Sequence, residues 1–271
     1  MKIASHDDSP VDRPTPRRHS SLMRPAFLFA VAALLLTACA HPCRVAPPPY
    51  EPGESFPNQK DLLIQQATCG DRCAGGQLGI QYELAGDCQN ALKWYRKFSN
   101  TCPIAAYNLG LNYERGPCLP IDKRAAMRWH KKSVAIEPFA PAMTRIATLY
   151  LNDDDVATRA WFEKAVAAGD PVAELSLASM YMNGAGGGKN YEKALPLAMS
   201  GAKRREPQAL EIVGLIYANG YGTPKDLVRG YHYLKMSADA GSDESKILLE
   251  QVALMMTRAE IERAYALREA Q

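Results

Sequence analysis

Aromatic and small residues recur along this chain about every 35 residues, and that spacing constrains the fold more tightly than any composition does. Tryptophan or a bulky stand-in falls at Trp94, Trp129, Trp161, Leu197 and Tyr233, at intervals of 35, 32, 36 and 36. A tyrosine falls at Tyr82, Tyr113, Tyr150, Tyr181 and Tyr217. Three residues before each tyrosine stands Gly79, Gly110, Ala147, Ala178 or Gly214, and just before that Leu78, Leu109, Ile146, Leu177 or Val213. Four residues after each tryptophan-type position comes Phe98, Ser133, Ala165, Gly201 or Ser237. Five coordinated columns at this period mark a stacked repeat architecture.

Within one unit, residues at i, i+3 and i+4 put Leu109, Gly110 and Tyr113 on one helical face. A turn follows at Gly116, Pro117 and Pro120, and Asp122 is placed to cap a second helix carrying Ala126 and Trp129. The small residues let the two helices approach, with tyrosine and tryptophan expected to fill the space beside them. Each hairpin has one apolar stripe too many to bury alone, so neighbours share it. The expected fold is all-α: a right-handed α-solenoid of stacked antiparallel helical hairpins. "KDLLIQQAT", 60–68, reads as a leading helix, so that 59–241 holds five repeats behind it. Residues 242–271 break the pattern and read as capping helices, with Thr257 and Glu260 forming a capping box. The glycine-rich turns "NGAGGGKN" and "NGYGTPKD" have neither phosphate-loop spacing nor a preceding strand, which argues against nucleotide binding.

The pattern A-x-x-x-L-G-x-x-Y-x-x-G-x-G…D-x-x-x-A-x-x-W-Y-x-x-A resembles the Sel1-like repeat, a relative of the tetratricopeptide repeat. The match is fullest at 105–133 and 209–238, covers about 73–239, and departs in the short turns of units one and three and at Leu197 and Tyr233. The resemblance implies helical hairpins that bind proteins and assemble complexes.

Before the repeats, "MRPAFLFAVAALLLTAC" is too short and too small-residued at its end for a membrane span, and suits a processed leader. Leu36, Thr37, Ala38 and Cys39 resemble a bacterial lipobox, which implies a signal peptide over 1–38 (with Met23 as an alternative start) and a diacylglycerol on the Cys39 thiol. Ala40, rather than Asp, follows it, so the expected address is the outer membrane facing the periplasm, with surface exposure as the alternative. Residues 39–58 hold six prolines by Pro57 and read as an extended tether. Without residues 1–38 the chain carries 27 Lys/Arg against 26 Asp/Glu, and that balance gives no expectation of nucleic-acid binding.

Setting Cys39 aside leaves Cys43, Cys69, Cys73, Cys88, Cys102 and Cys118, an even set that in an exported protein reads as disulfides. Cysteine-rich members of the repeat family staple their hairpins in this way. Hairpin geometry brings Cys73 or Cys69 near Cys102, sets Cys88 and Cys118 at successive turn ends, and leaves Cys43 for Cys69 or Cys73.

His41, His130 and His232 are scattered, no cluster has ligand spacing, and no serine sits in a nucleophile elbow. No metal, cofactor or catalytic residue is therefore expected. Partner contacts are expected from first-helix positions Asn108, Asn112, Thr144, Ser176, Ser179 and Glu211, with Tyr221 in the following turn; Tyr82, Tyr113, Tyr181 and Tyr217 are expected in the core. The acidic turn Asp153–Asp155 and the basic "KRRE", 203–206, lie on opposite edges of the stack and are candidates for orienting a partner. The functional expectation is an envelope-anchored scaffold for protein–protein interaction, binding envelope or secreted proteins and held to the bilayer by its acylated cysteine. The alternatives are an immunity-type inhibitor that occludes a secreted toxin or lipase, and a cell-wall hydrolase or penicillin-binding protein.

Overall fold

The computed structural model describes residues 59–68 and 70–267. Cys39, Cys43 and Cys69, with the leader and tether readings, lie outside the described residues. Those described are helical with no strand among them, and form thirteen helices: α1 Gln59–Thr68, α2 Arg72–Leu84, α3 Cys88–Phe98, α4 Pro103–Arg115, α5 Lys123–Ile136, α6 Ala140–Tyr150, α7 Asp155–Ala167, α8 Pro171–Asn183, α9 Tyr191–Lys203, α10 Pro207–Asn219, α11 Leu227–Asp239, α12 Asp243–Ala253 and α13 Arg258–Ala266. After α1 come five antiparallel hairpins, α2/α3 to α10/α11, each packed on the next. At two of the four joints the first helices of neighbouring hairpins also touch directly, α2 with α4 and α8 with α10, as expected for the inner layer of a solenoid. Among the described residues no helix is long and apolar enough to cross a membrane.

One closure joins every hairpin. The residue that caps the second helix donates its backbone N–H to the carbonyl of the repeating tyrosine: Asp87 to Tyr82, Asp122 to Tyr113, Asp154 to Tyr150, Asn190 to Tyr181 and Asp226 to Tyr217, at 2.8–3.0 Å. The same side chains accept from the amides of Asn90, Ala125, Ala157, Lys193 and Arg229, satisfying an orphan donor of each helix start. Cap and tyrosine are nine residues apart in hairpins two, four and five, but five and four apart in hairpins one and three. The long turns begin with a left-handed glycine at the end of the first helix: Gly116, Gly184 and Gly220 have φ of 73°, 87° and 72°. The short turn of hairpin three uses Asn152, φ 71°, instead.

The small-residue column faces a different partner from the one its spacing suggested. A Cβ built on Gly79 would meet the Tyr95 ring at 2.3 Å, one on Gly110 the His130 ring at 2.5 Å, and one on Gly214 Leu234 at 2.7 Å. Phe162 and Ala198 occupy the same register and are buried with Ala147 and Ala178. The core column is therefore Tyr95, His130, Phe162, Ala198 and Leu234, one residue after each tryptophan-type position. One residue is about 100° of helix rotation, enough to carry the tryptophans to the flank. There Trp94, Trp129 and Trp161 are half-buried, each under the ammonium of the lysine three residues on, at 4.9, 4.5 and 4.3 Å.

At the far end α12 and α13 pack on α11 through Tyr231, Leu234, Val252 and Ala264. The capping box is present, with Thr257 and Glu260 bonded reciprocally.

Cys88 is joined to Cys118, with Cα atoms 5.2 Å apart, which ties the start of α3 to the turn before α5. Cys73 is also disulfide-bonded. The expectation that Cys102 pairs with Cys73 or Cys69 is corrected: Cys102 is a free, fully buried thiol. It stands at the N-cap of α4 with its Sγ 3.0 Å from where Gly76 would carry a Cβ, one turn along α2 from Cys73. Burial pushes its pKa up, against the pull of the Ala105 and Ile104 amides.

Candidate functional site: a repeat interaction surface

Polar side chains of the first helices divide into those that hold the stack together and those left facing out. Asn112 is fully buried, and its Nδ2 donates to the Asn108 carbonyl at 2.9 Å and to Glu83 of the preceding hairpin at 3.3 Å. Thr144 is buried and donates to Asp170, the cap of α8. Both were expected at a partner-facing surface, and both instead bond across the joint between hairpins. Glu211, half-buried, likewise accepts from Ser242 at 3.0 Å and Ser245 at 2.7 Å in the terminal helices. A buried polar group without such a partner is costly, so these positions are tied to neighbours that sequence spacing does not reveal.

What remains half-exposed is Asn108 on α4, with Ser176 and Ser179 on α8. Asn108 spends its amide on the Ile104 carbonyl. Tyr221 is 37% exposed and stacks on Tyr191 at 4.5 Å, joining the turn of hairpin five to the start of α9.

The tyrosine column is also less buried than expected. Only Tyr181 is in the core; Tyr82, Tyr113 and Tyr217 are half-buried. Cations cover the rings: Lys60 lies 4.1 Å from the Tyr82 centroid, Lys131 5.4 Å from Tyr150, Arg159 4.9 Å from Tyr181 and Arg229 5.4 Å from Tyr217. Each of these four tyrosines accepts the turn-closing bond at its backbone carbonyl and offers a ring face to a cation. The aromatic-plus-basic content of the repeats was the available signal for this ladder, but the pairing crosses elements and has no fixed spacing.

Of the two charged turns, the basic one has its central arginine paired within the fold. Arg204 bonds Glu174 and Glu206 at 2.9 Å each, and the Glu206 hydrogen bond leads in holding its pKa up. In the acidic turn Asp153, Asp154 and Asp155 are all exposed, and Asp154 caps α7.

The two described histidines serve the fold. His130 is fully buried in the Gly110 notch with its Nε2 3.2 Å from Glu114, which also pairs with Arg145 at 3.2 Å. Burial alone would raise the Glu114 pKa; the His130 bond and the Arg145 and Arg115 charges outweigh it and hold the carboxyl below its ordinary range. His232 places Nδ1 3.1 Å from the Ala264 carbonyl and so ties α11 to α13. Among the described residues no group of three or more His, Cys, Asp or Glu is arranged to hold a metal.

Stacked hairpins, closed alike and joined by inter-repeat bonds, define an all-helical repeat scaffold. The Sel1 repeat model matches residues 76–100, 103–135, 140–170, 171–195 and 207–242, more than half of the chain, and the chain belongs to that family. It is 32% identical over 163 residues to an uncharacterized protein of Neisseria meningitidis serogroup B, a match that takes in 60% of this chain and 35% of the relative. Among solved structures it is similar to a protective antigen of uropathogenic Escherichia coli with an SLR fold (TM-score 0.64, 23% identity, 76% of this chain and 46% of that one). It is also similar to a Sel1 repeat protein of Oxalobacter formigenes (TM-score 0.56, 26% identity, 65% and 74%). The chain thus spans about a third of the meningococcal relative and under half of the antigen.

Proposed function

We propose that the chain is an envelope-anchored scaffold that grips partner proteins along its inner, first-helix layer, fastened to the periplasmic face of the outer membrane through lipidated Cys39. The observation that carries the reading is that stacking consumes Asn112, Thr144 and Glu211 but leaves Ser176 and Ser179 half-exposed on α8, with an exposed Tyr221 in the turn beyond the next first helix. A rigid layer with spare polar groups and an aromatic edge suits an extended protein surface.

The test is capture of partners from detergent-solubilised envelope by the anchored protein and by a Ser176→Arg, Ser179→Arg, Tyr221→Ala variant. Partners held by the parent and lost by the variant support the reading; identical capture sinks it. Recovery of one secreted hydrolase in a tight 1:1 complex would make the protein an inhibitor. Cys39→Ser should abolish labelling by palmitate and leave the chain extractable from the membrane fraction by high salt, where the parent stays bound.

A further inference from the structure

The near-neutral charge balance conceals a one-signed face. In α3 the positions one before, two after and three after the tryptophan are Lys93, Arg96 and Lys97; in α5 they are Arg128, Lys131 and Lys132. Lys123 and Arg124 add to the start of α5, and neither helix contains an acidic residue. The equivalent positions of the later hairpins are mixed: Ala160, Glu163 and Lys164, then Pro196, Met199 and Ser200. All eight basic side chains are exposed except half-buried Lys132, and none takes part in an ion pair with a described carboxylate. The nearby Asp87 and Asp122 are committed to capping the two helices.

Lys93 and Lys97 stand two residues either side of core Tyr95, and Arg128 and Lys132 two residues either side of core His130, so these four point away from the stack. Arg96 lies on the flank, and Lys131 turns to the next hairpin, donating to the Tyr150 hydroxyl at 3.0 Å. Beside them sit the half-buried Trp94 and Trp129 with Lys97 and Lys132 over their rings. The Cys88–Cys118 bond ties the start of α3 to the turn that leads into α5, which holds the two basic helices in a fixed relation.

We infer that the outward face of α3 and α5 is a docking surface for an anionic phospholipid bilayer, with lysine and arginine on headgroup phosphates and Trp94 and Trp129 at the interface. Charge complementarity leaves a polyanion as the partner. Five of the eight cations are lysines, which protein interfaces disfavour at their core. Tryptophans at the edge of a basic surface are the side chains that settle at headgroup level. The face lies on the second helices, so it leaves the first-helix layer free; it is independent of acylation at Cys39 and is tested without it.

The experiment uses the full chain carrying Cys39→Ser, with vesicles of phosphatidylcholine alone or with 30% phosphatidylglycerol, read by co-sedimentation and tryptophan emission. Expected is a clear preference for the anionic vesicles, an emission blue shift on binding, and weakening as salt rises. Lys93→Glu, Arg96→Glu, Lys123→Glu and Arg128→Glu together should weaken partition at least tenfold and remove the shift. Lys189→Glu, Lys203→Glu, Lys225→Glu and Arg258→Glu, an equal charge change elsewhere, should leave the preference in place. All these side chains are exposed, and an unchanged melting temperature verifies the fold. Equal binding to both vesicles, or equal loss from the two quadruple variants, overturns the inference. So does tighter binding to polyglutamate or duplex DNA than to anionic vesicles, which would assign the face to an acidic protein or a nucleic acid. None of these outcomes bears on partner capture by the first-helix layer.

Discussion

Gly110 and His130 share one volume: a Cβ on the glycine would stand 2.5 Å from the imidazole Cε1. The close approach of α4 and α5 depends on that missing side chain. Gly110→Ala should therefore destabilise the protein by about 1–3 kcal/mol, although alanine is the better helix former by about 1 kcal/mol. Adding His130→Ala should recover part of the loss. Urea unfolding of the two single variants and the double one measures the coupling.

The Cys88–Cys118 bond closes a separation of 30 residues. Replacing both cysteines by serine should cost about 3–4 kcal/mol on the chain-entropy account. The loss should be local in an array of this kind: amide exchange is expected to rise in α3, α4 and α5 while α10 and α11 keep their protection.

Glu114 carries an acid-dependent share of the stability. Its carboxyl is held below its ordinary range in the folded state, so the folded protein binds that proton less readily than the unfolded chain. The contribution is complete above the ordinary glutamate pKa and is lost as pH falls through the lower folded value. Melting temperatures across pH should show Glu114→Gln clearly weaker than the parent at neutrality, with the gap closing in acid. A constant gap would refute this.

Arg159 holds the glycine-rich turn of hairpin four. It is buried and donates to the carbonyls of Gly187 at 2.7 Å, Gly188 at 3.0 Å and Met180 at 3.2 Å. Arg159→Met should cost about 3 kcal/mol, since three acceptors lose a charged donor, and should expose residues 184–190 to limited proteolysis. Arg159→Lys should rescue little, because an ammonium cannot span three carbonyls as the guanidinium fork does.

Much of this architecture is legible in the chain. The tyrosine column, the Asp or Asn that follows it and the small residues are residue types with fixed geometric duties, and they mark five hairpins whatever their turn length. The residue filling the small-residue notch was not legible. Trp129 and His130 are both bulky, and choosing between them needs a helix phase finer than one residue. Asn112, Thr144 and Glu211 were read as outward polar positions, yet the first two bond to a neighbouring hairpin and the third to the terminal helices, and no spacing within one repeat encodes that. Cys102 defeats an argument from hairpin ends for a similar reason, since the thiol packs at Gly76 rather than at Cys73.

The sequence by itself determined the repeat, its period and its helical character, because local propensity, capping and apolar periodicity act over a few residues. Which polar groups stay exposed and which cement the stack was decided by the tertiary structure alone. Burial and electrostatic fields depend on neighbours some 30 residues away along the chain, brought together only when the hairpins stack.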